Sequence, residues 1–221
     1  MSTKEFARNI RELIIKSLYK SQSGHMGSNL SCADILAVLY GGILNVDAKN
    51  PEMEDRDRFI LSKGHAGLSV YCALVIKGFF PEDWLDTYYQ NDGKLAGHIT
   101  SHGVPGVEFS AGSLGHGLPV ATGMAKSAKL DGKSYRTFCL MSDGEMQEGS
   151  VWDPAMFASY HKLDNLVAIL DYNKLQSLED TNKTLNLEPL RKKFESFNWG
   201  VREIDGHNYK QIEKTLKATK I

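Results

Sequence analysis

Two polar segments of the chain carry side chains that could bind a metal ion. Ser142-Asp-Gly-Glu follows one apolar run, and Asp171-Tyr-Asn-Lys-Leu follows another. Asp143 offers a carboxylate and Asn173 an amide oxygen, and a hard cation such as Mg²⁺ prefers oxygen ligands of these kinds, together with phosphates and backbone carbonyls. The chemistry that the two segments could share is therefore the binding of a phosphorylated ligand through a metal ion.

Two neighbouring features favour a diphosphate as that ligand. Gly144 has no Cβ, so phosphate oxygens could approach its backbone closely. A helix that is predicted to open near Glu148 would direct free N–H groups toward the same place. Each polar segment alone is common turn chemistry. On adjacent βα units the two together favour a metal-clamped diphosphate site that holds an organic cofactor.

A parallel sheet must position these segments, because the sequence pattern alternates strands with helices. The apolar runs Phe138-Cys-Leu-Met and Leu166-Val-Ala-Ile-Leu are typical of central strands buried on both faces. Ligands of such sheets bind beyond the carboxyl ends of the strands. Residues 1–221 are predicted to form one α/β domain, doubly wound, with a mainly parallel sheet and helices on both faces. The predicted strands are 58–62, 135–141, 165–171 and 199–204, and the predicted helices are 3–21, 31–44, 81–89, 114–130, 148–162, 187–197 and 208–218, with a further helix ending near 77 and a loop over 91–113.

The N-terminal helix has the clearest periodicity, since its apolar residues recur on one face. At the start of the second helix, Ser31 followed by Asp34 predicts a capping box, with Asp in place of the preferred Glu or Gln. The apolar face of the first helix contains Phe6, Ile10, Leu13, Ile14 and Leu18.

Composition excludes several classes of function. The chain has 26 basic and 27 acidic side chains and no basic stripe interleaved with aromatic residues, so nucleic-acid binding is not expected. No apolar run approaches the ~18 residues that span a bilayer, and no secretory signal opens the chain. Cys32, Cys72 and Cys139 lack metal-site spacing and are predicted to be buried, reduced thiols. A soluble cytoplasmic protein is expected, with neither a nucleic-acid nor a membrane partner.

Five motifs, taken in order, resemble those of the transketolase family. Ser142-Asp-Gly-Glu, with Asn173 following 30 positions after Asp143 (173 − 143), is similar to the family's thiamine diphosphate motif, which is usually Gly-Asp-Gly, about 30 residues and Asn. Order and spacing agree for all five motifs, and the resemblance covers almost the whole chain. The other four are Ser23-Gly-His-Met-Gly, Leu61-Ser-Lys-Gly-His-Ala, Ala96-Gly-His-Ile and Ser110-Ala-Gly-Ser-Leu-Gly-His-Gly.

The resemblance implies a reaction and a set of partners. The chain is similar to the N-terminal, diphosphate-binding subunit of split transketolases, in which two genes encode the two halves. Such an enzyme transfers a two-carbon ketol unit from a ketose to an aldose, using thiamine diphosphate and Mg²⁺ or Ca²⁺. The implied partner is a C-terminal, pyrimidine-binding subunit in an α2β2 assembly, and the substrates are sugars or sugar phosphates. The chain alone would have little or no activity, because the partner carries the Glu that activates the aminopyrimidine.

The same resemblance implies roles for individual residues. His25, His65 and His98 would gather around the sugar as catalytic residues, and imidazoles suit a hydroxyl-rich substrate because they exchange protons near pH 7. Glu148, also assigned to catalysis, would join a carboxylate network that links two active sites, although a helix dipole favours Glu at such a position as well. The metal ligands would be Asp143, Asn173 and the carbonyl of Leu175, and the cofactor-binding residues would be His65, Gly112, Ser113, Leu114, Asp143, Gly144, Glu145 and Asn173.

Departures from the family pattern leave alternatives open. Ser142 stands for the usual Gly, and His116 for the usual Gln. The chain ends at Ile221, so the family's next strand and a further substrate His would be absent or supplied by another chain. One alternative is a thiamine enzyme that condenses a decarboxylated 2-oxo acid with an aldehyde. Another is a non-catalytic, degenerate module, against which the intact pair of Asp143 and Asn173 argues.

Overall fold

The computed structural model describes residues 1–177 and 179–219 of the chain. Its sheet contains three parallel strands, β1 (Arg58–Leu61), β2 (Thr137–Ser142) and β3 (Leu166–Asp171), which lie side by side in that order. Parallel neighbours require crossover connections, and helices lie in both connections here. The predicted α/β fold with a parallel sheet is therefore confirmed.

Helices cover both faces of this sheet. Successive side chains of a strand point to opposite faces, and in β2 Phe138 and Leu140 join one hydrophobic cluster while Cys139 and Met141 join another. The continuous apolar run of β2 thus reflects burial on both sides. The first cluster includes α1 (Thr3–Ser21), α3 (Ala33–Val38), α4 (Gly67–Lys77) and α9 (Tyr209–Lys217), and the second includes α5 (Gly117–Leu130), α6 (Trp152–Tyr160) and α8 (Leu190–Ser196); two short helices are α2 (Met26–Ser31) and α7 (Thr181–Thr184).

The first helix forms where its periodicity predicts it. The Ser2 hydroxyl accepts a hydrogen bond from the Glu5 N–H (3.3 Å), and the Glu5 carboxylate accepts one from the Ser2 N–H (3.4 Å), which completes a capping box. Every residue of the predicted apolar face is buried. Because each such side chain stabilises the fold by about 1.5–3 kcal/mol when buried, this face anchors α1 to its neighbours α3 and α4.

Two predicted elements are wrong. Residues 199–204 form no strand: residues 202–204 are exposed, and no strand within the described ranges pairs with them. A β-prone composition without a neighbouring strand to bond does not form a ladder. The helix predicted over 31–44 is divided, because α2 ends at Ser31 and a wide turn at Leu39–Ile43 leaves helical geometry at Gly42. Ser31 therefore ends a helix, and no capping box begins there.

Short 3₁₀ turns and one long loop connect the elements near the carboxyl ends of the strands. Over 91–113 no helix or strand forms, as predicted, but Leu95, Ile99, Val104 and Ala111 are buried. The loop therefore packs onto the core and can hold its polar residues in fixed positions. The 3₁₀ turns are Gly64–Ala66, Glu82–Thr87, Gly144–Gln147 and Gly149–Val151.

Three further expectations can be compared with the structure. Cys32, Cys72 and Cys139 are buried and form no disulfide, which confirms the buried thiols. Among the helices of residues 1–177 and 179–219, none is both long and apolar enough to cross a membrane. The expectation that the family's next strand is absent concerns the chain end at Ile221, which lies outside the described residues.

Candidate functional site

Asp143 and Asn173 leave the sheet at the same edge. Ser142, the last residue of β2, is paired with Asp171, the last residue of β3, in the parallel ladder. Ligands bind beyond the carboxyl ends of parallel strands in folds of this class. The neighbouring strands that a shared metal site requires are therefore present.

The Asp143 carboxylate is held in a fixed position. It is 1% exposed, and its oxygens accept hydrogen bonds from the Gly144 N–H (2.8 Å) and the Thr181 hydroxyl (2.9 Å). In the part of the chain that the structure describes, no Lys, Arg or His forms a salt bridge with it. Burial of an unpaired carboxylate is costly, and a bound cation would remove that cost.

Asn173 begins a loop that folds back toward Asp143. The side-chain oxygen of Asn173 accepts a hydrogen bond from the Leu175 N–H (2.9 Å), and its amide donates to the Ser31 hydroxyl (3.2 Å). Leu175 forms an isolated antiparallel bridge with Asp180. Leu175 is 63% exposed, so its side chain does not belong to the core. The group that matters for metal binding is therefore its backbone carbonyl.

Gln176 supplies a donor that sequence reasoning missed. Its Nε2 atom is buried and finds no hydrogen-bond partner among the described residues. A Cβ added to Gly144 would lie 3.0 Å from Gln176 Cδ, so this amide lies against the loop that carries Asp143. Buried donors are normally paired, and an anionic oxygen would pair this one. The possible metal ligands are a carboxylate, an amide oxygen and a backbone carbonyl, and they lie beside this unpaired N–H. Such a set fits Mg²⁺ or Ca²⁺ bound to a diphosphate.

A glycine brings the loop before α5 close to these residues. Gly115 has φ 79°, in the left-handed region, and a Cβ there would lie 2.7 Å from the Cβ of Glu148. Only glycine allows this approach. Gly112 and Ser113 are exposed and Leu114 is half-buried. Since a Cβ on Gly112 would meet nothing within 4 Å, open space lies in front of this segment, as a cofactor contact requires.

Glu145 joins three segments of the chain. Its fully buried carboxylate accepts hydrogen bonds from the Gly115 N–H (2.7 Å), the Ser142 N–H (3.3 Å) and the Ser62 hydroxyl. Burial raises the pKa of this carboxyl above its ordinary value. Sequence predicts that Glu145 contacts the cofactor, whereas in the structure its side chain faces inward and holds the surrounding loops.

The three predicted histidines meet near the carboxyl end of β1. The ring centroid of His25 lies 5.3 Å from that of His65 and 5.6 Å from that of His98. His25 and His98 are exposed, and His65 is half-buried. The structure therefore brings together imidazoles from three separate motifs, at a surface where they could contact one small hydroxylated ligand.

Close backbone packing holds His65 and His98 in place. The Gly64 carbonyl accepts a hydrogen bond from the Ile99 N–H (2.9 Å), which fixes the two residues that neighbour these histidines. A Cβ added to Gly64 would lie 1.9 Å from the carbonyl oxygen of Ala111. No side chain larger than hydrogen fits this contact, so Gly64 lets the turn that carries His65 pack directly on the 91–113 loop.

Lys63 is a buried cation next to the histidines, and sequence reasoning missed it. It is 1% exposed, and its ammonium donates to Asp171 (2.7 Å) and to the carbonyl of Ser28 (3.1 Å). Burial opposes its charge, but Coulombic interactions with Cys32 and Asp171 outweigh burial, so the pKa of Lys63 lies above its ordinary value. The one signal in the sequence is a lysine directly after an apolar strand, which is equally typical of a solvated turn.

His65 should be neutral throughout the physiological pH range. Burial lowers its pKa to about 4, and the charge on Lys63 contributes to the shift. Because an unfolded chain binds this proton at the ordinary pKa of 6.5, the unfolded state holds more protons between about pH 4 and 6.5. The free energy of unfolding is therefore expected to fall as the pH drops through this window. NMR titration of the His65 ring protons, assigned with His65→Gln, checks the value, and a midpoint near 6.5 would contradict it.

Glu148 lies just before the turn that leads into α6, a position at which a helix dipole also favours Glu. It is exposed and precedes the turn Gly149–Val151, but its side chain makes no capping hydrogen bond there.

Among the described residues, no group of three or more His, Cys, Asp or Glu is positioned to hold a metal ion. The predicted metal set is of another kind, because Asp143 is its one carboxylate and the other ligands are the Asn173 amide and a carbonyl.

Known proteins resemble this chain over most of its length. Residues 2–221 match the family described as "Transketolase, thiamine diphosphate binding domain". The chain is 43% identical over 208 residues to an apulose-4-phosphate transketolase subunit of Actinobacillus succinogenes, and the match covers 94% of this chain and 75% of that protein. It is 39% identical over 214 residues to the 6-deoxy-6-sulfo-D-fructose transketolase subunit SqwG of Clostridium sp., with 97% and 78% covered.

A solved structure agrees with these relatives. Transketolase from Campylobacter jejuni superposes on 99% of this chain with a TM-score of 0.93 at 33% identity. The chain spans 35% of that longer protein.

Proposed function

Because the chain belongs to the transketolase family, we propose that it is the diphosphate-binding subunit of a two-subunit enzyme that transfers a two-carbon ketol unit from a ketose to an aldose. Residues 1–221 would form a single cofactor-binding domain. The proposal rests chiefly on the pairing of Ser142 with Asp171, which puts Asp143 and Asn173 at one edge of the sheet.

The two strand-end loops would hold the cofactor. Asp143, Asn173 and the carbonyl of Leu175 would ligate Mg²⁺ or Ca²⁺, and the metal would bind the diphosphate. When bound, thiamine diphosphate supplies the chemistry that breaks and forms a C–C bond beside a carbonyl. The open loop before α5 would contact the cofactor through Gly112, Ser113 and Leu114, with Gly144 and His65 completing the contacts.

The histidines would bind and orient the sugar. A neutral imidazole has one N–H and one free lone pair, so it can donate a hydrogen bond to one hydroxyl and accept a hydrogen bond from another. His65 is neutral near pH 7, and burial together with His25 also lowers the pKa of His98. The neutral ring of His65 gives little attraction for the carboxylate of a 2-oxo acid, which favours a ketose as the donor.

A second subunit is part of the proposal. The relatives from Actinobacillus succinogenes and Clostridium sp. are each one subunit of a transketolase. Glu148 is exposed and its side chain makes no capping hydrogen bond, which suits a residue that contacts another chain. We propose a C-terminal, pyrimidine-binding subunit in an α2β2 assembly, acting in the cytoplasm with magnesium.

Mixing the chain with the product of a neighbouring transketolase-like gene should produce ketol transfer, whereas the chain alone should show little or none. The reaction would contain thiamine diphosphate, Mg²⁺, an aldose and ¹³C-labelled ketoses, both free and phosphorylated. Movement of a labelled two-carbon unit, detected by NMR, is the expected result.

Other results would change the assignment. Full turnover by the chain alone would overturn the need for a partner. Release of CO₂ from a 2-oxo acid, without ketol transfer, would place the chain with the condensing thiamine enzymes. Calorimetry that detects no thiamine diphosphate binding in the presence of Mg²⁺ and the partner would favour a non-catalytic module.

A further inference from the structure

A chain of hydrogen bonds runs from a buried cation to the amide of Asn173. Lys63 donates to one oxygen of Asp171 (2.7 Å), and the other oxygen of Asp171 accepts the Ser31 hydroxyl (2.9 Å). The Ser31 oxygen in turn lies 3.2 Å from the side-chain nitrogen of Asn173. The four residues come from β1's end, α2 and β3's end, so three separate segments converge on one side chain.

The order of these bonds decides which end of the Asn173 amide faces Ser31. A carboxylate paired with an ammonium only accepts hydrogen bonds, and a hydroxyl has a single proton. Ser31 therefore gives its proton to Asp171, and its oxygen can only accept from Asn173. The NH₂ end of Asn173 must face Ser31, which leaves the oxygen on the opposite side, where it accepts the Leu175 N–H (2.9 Å).

We propose that Lys63, Asp171 and Ser31 form an orienting relay that holds the Asn173 oxygen toward the metal ion. They are positioning residues, and the inference rests on the proposed function. Without such a relay the amide of an asparagine can turn over, and the NH₂ group would then face the cation and repel it. Residues that hydrogen-bond to a metal ligand commonly fix its orientation in this way.

The two metal ligands differ in their need for orientation. Both oxygens of Asp143 are equivalent, so a carboxylate presents an acceptor in either orientation. Asn173 has one acceptor and one donor end. This difference explains why the buried cation and the relay lie on the β3 side of the site, while Asp143 is held only by Thr181 and its own neighbour.

A double-mutant cycle between Ser31 and Asn173 tests the relay. The dissociation constant of Mg²⁺ would be measured by calorimetry in the presence of thiamine diphosphate, with the partner subunit added to every sample. Ser31→Ala should weaken Mg²⁺ binding about tenfold, and Ser31→Thr, which keeps the hydroxyl, should restore it. In an Asn173→Asp background, where the ligand no longer needs orientation, Ser31→Ala should change Mg²⁺ binding by less than about twofold.

Each outcome decides between orientation and a merely structural role. Equal losses from Ser31→Ala in the two backgrounds, or no loss in either, would overturn the relay. Ser127→Ala, at the exposed end of α5, is the matched control and should bind Mg²⁺ like the wild type. A wild-type chain that binds no Mg²⁺ with thiamine diphosphate and the partner would overturn the proposed function itself, and the relay with it.

Discussion

Asp143→Asn should abolish metal-dependent binding of thiamine diphosphate. The substitution keeps the shape of the side chain but removes the one carboxylate of the proposed ligand set. We expect the affinity for thiamine diphosphate in the presence of Mg²⁺ to fall by about 100-fold or more, which corresponds to roughly 3 kcal/mol. Isothermal titration calorimetry with the partner subunit present measures this loss, and the ketol-transfer rate should fall with it.

The same substitution should leave the metal-free fold intact. Asp143 is 1% exposed, and a neutral amide is easier to bury than a carboxylate, while the Thr181 hydroxyl can still donate to its oxygen. Asp86→Asn is a matched control, because the Asp86 side chain is 63% exposed and pairs with Lys20 at the surface. Binding by Asp143→Asn within about threefold of the Asp86→Asn control would contradict the metal assignment.

Gly64→Ala should be among the most damaging single substitutions in the chain. The added methyl group would lie 1.9 Å from the Ala111 carbonyl oxygen and 2.5 Å from its carbon, and both are backbone atoms that cannot rotate away. We expect the free energy of unfolding to fall by roughly 3 kcal/mol, since overpacking at this distance must move backbone. Urea denaturation followed by circular dichroism measures the change.

Gly123→Ala is the control for that experiment. Gly123 lies exposed within α5, and a Cβ there would meet nothing within 4 Å. Removing glycine from a helix interior should stabilise the chain by about 0.5–1 kcal/mol. If Gly64→Ala and Gly123→Ala unfold at the same urea concentration, the close contact between Gly64 and the Ala111 carbonyl is contradicted.

The parts of the site that sequence predicted depend on short-range rules. Apolar runs that alternate with helices predict buried parallel strands, and the edge at which Asp143 and Asn173 emerge follows because each comes after one of these runs. The transketolase-like motifs added His25, His65 and His98. In the structure the ring centroid of His25 lies 5.3 Å from that of His65 and 5.6 Å from that of His98. Neither step needed a contact between distant residues to be known.

The parts that sequence missed depend on partners far along the chain. Ser31 has the pattern of a helix cap, but it lies at the end of α2 and bonds Asp171, 140 positions away. Lys63 follows a strand and has the pattern of an exposed turn, although the fold buries it against the same carboxylate. The segment 199–204 has the composition of a strand, and what it lacks is a neighbouring strand.

The hydrogen bonds that fix Asp143 affect how quickly and how tightly a cation could bind. Thr181 and Gly144 hold the carboxylate in the folded chain. The free-energy cost of ordering this side chain, together with about 1–2 kcal/mol for each ordered backbone residue, is therefore met during folding. That cost does not recur on binding, which leaves more of the interaction energy as affinity. The slow event in loading the site would then be the departure of water from the ion rather than the closure of a loop.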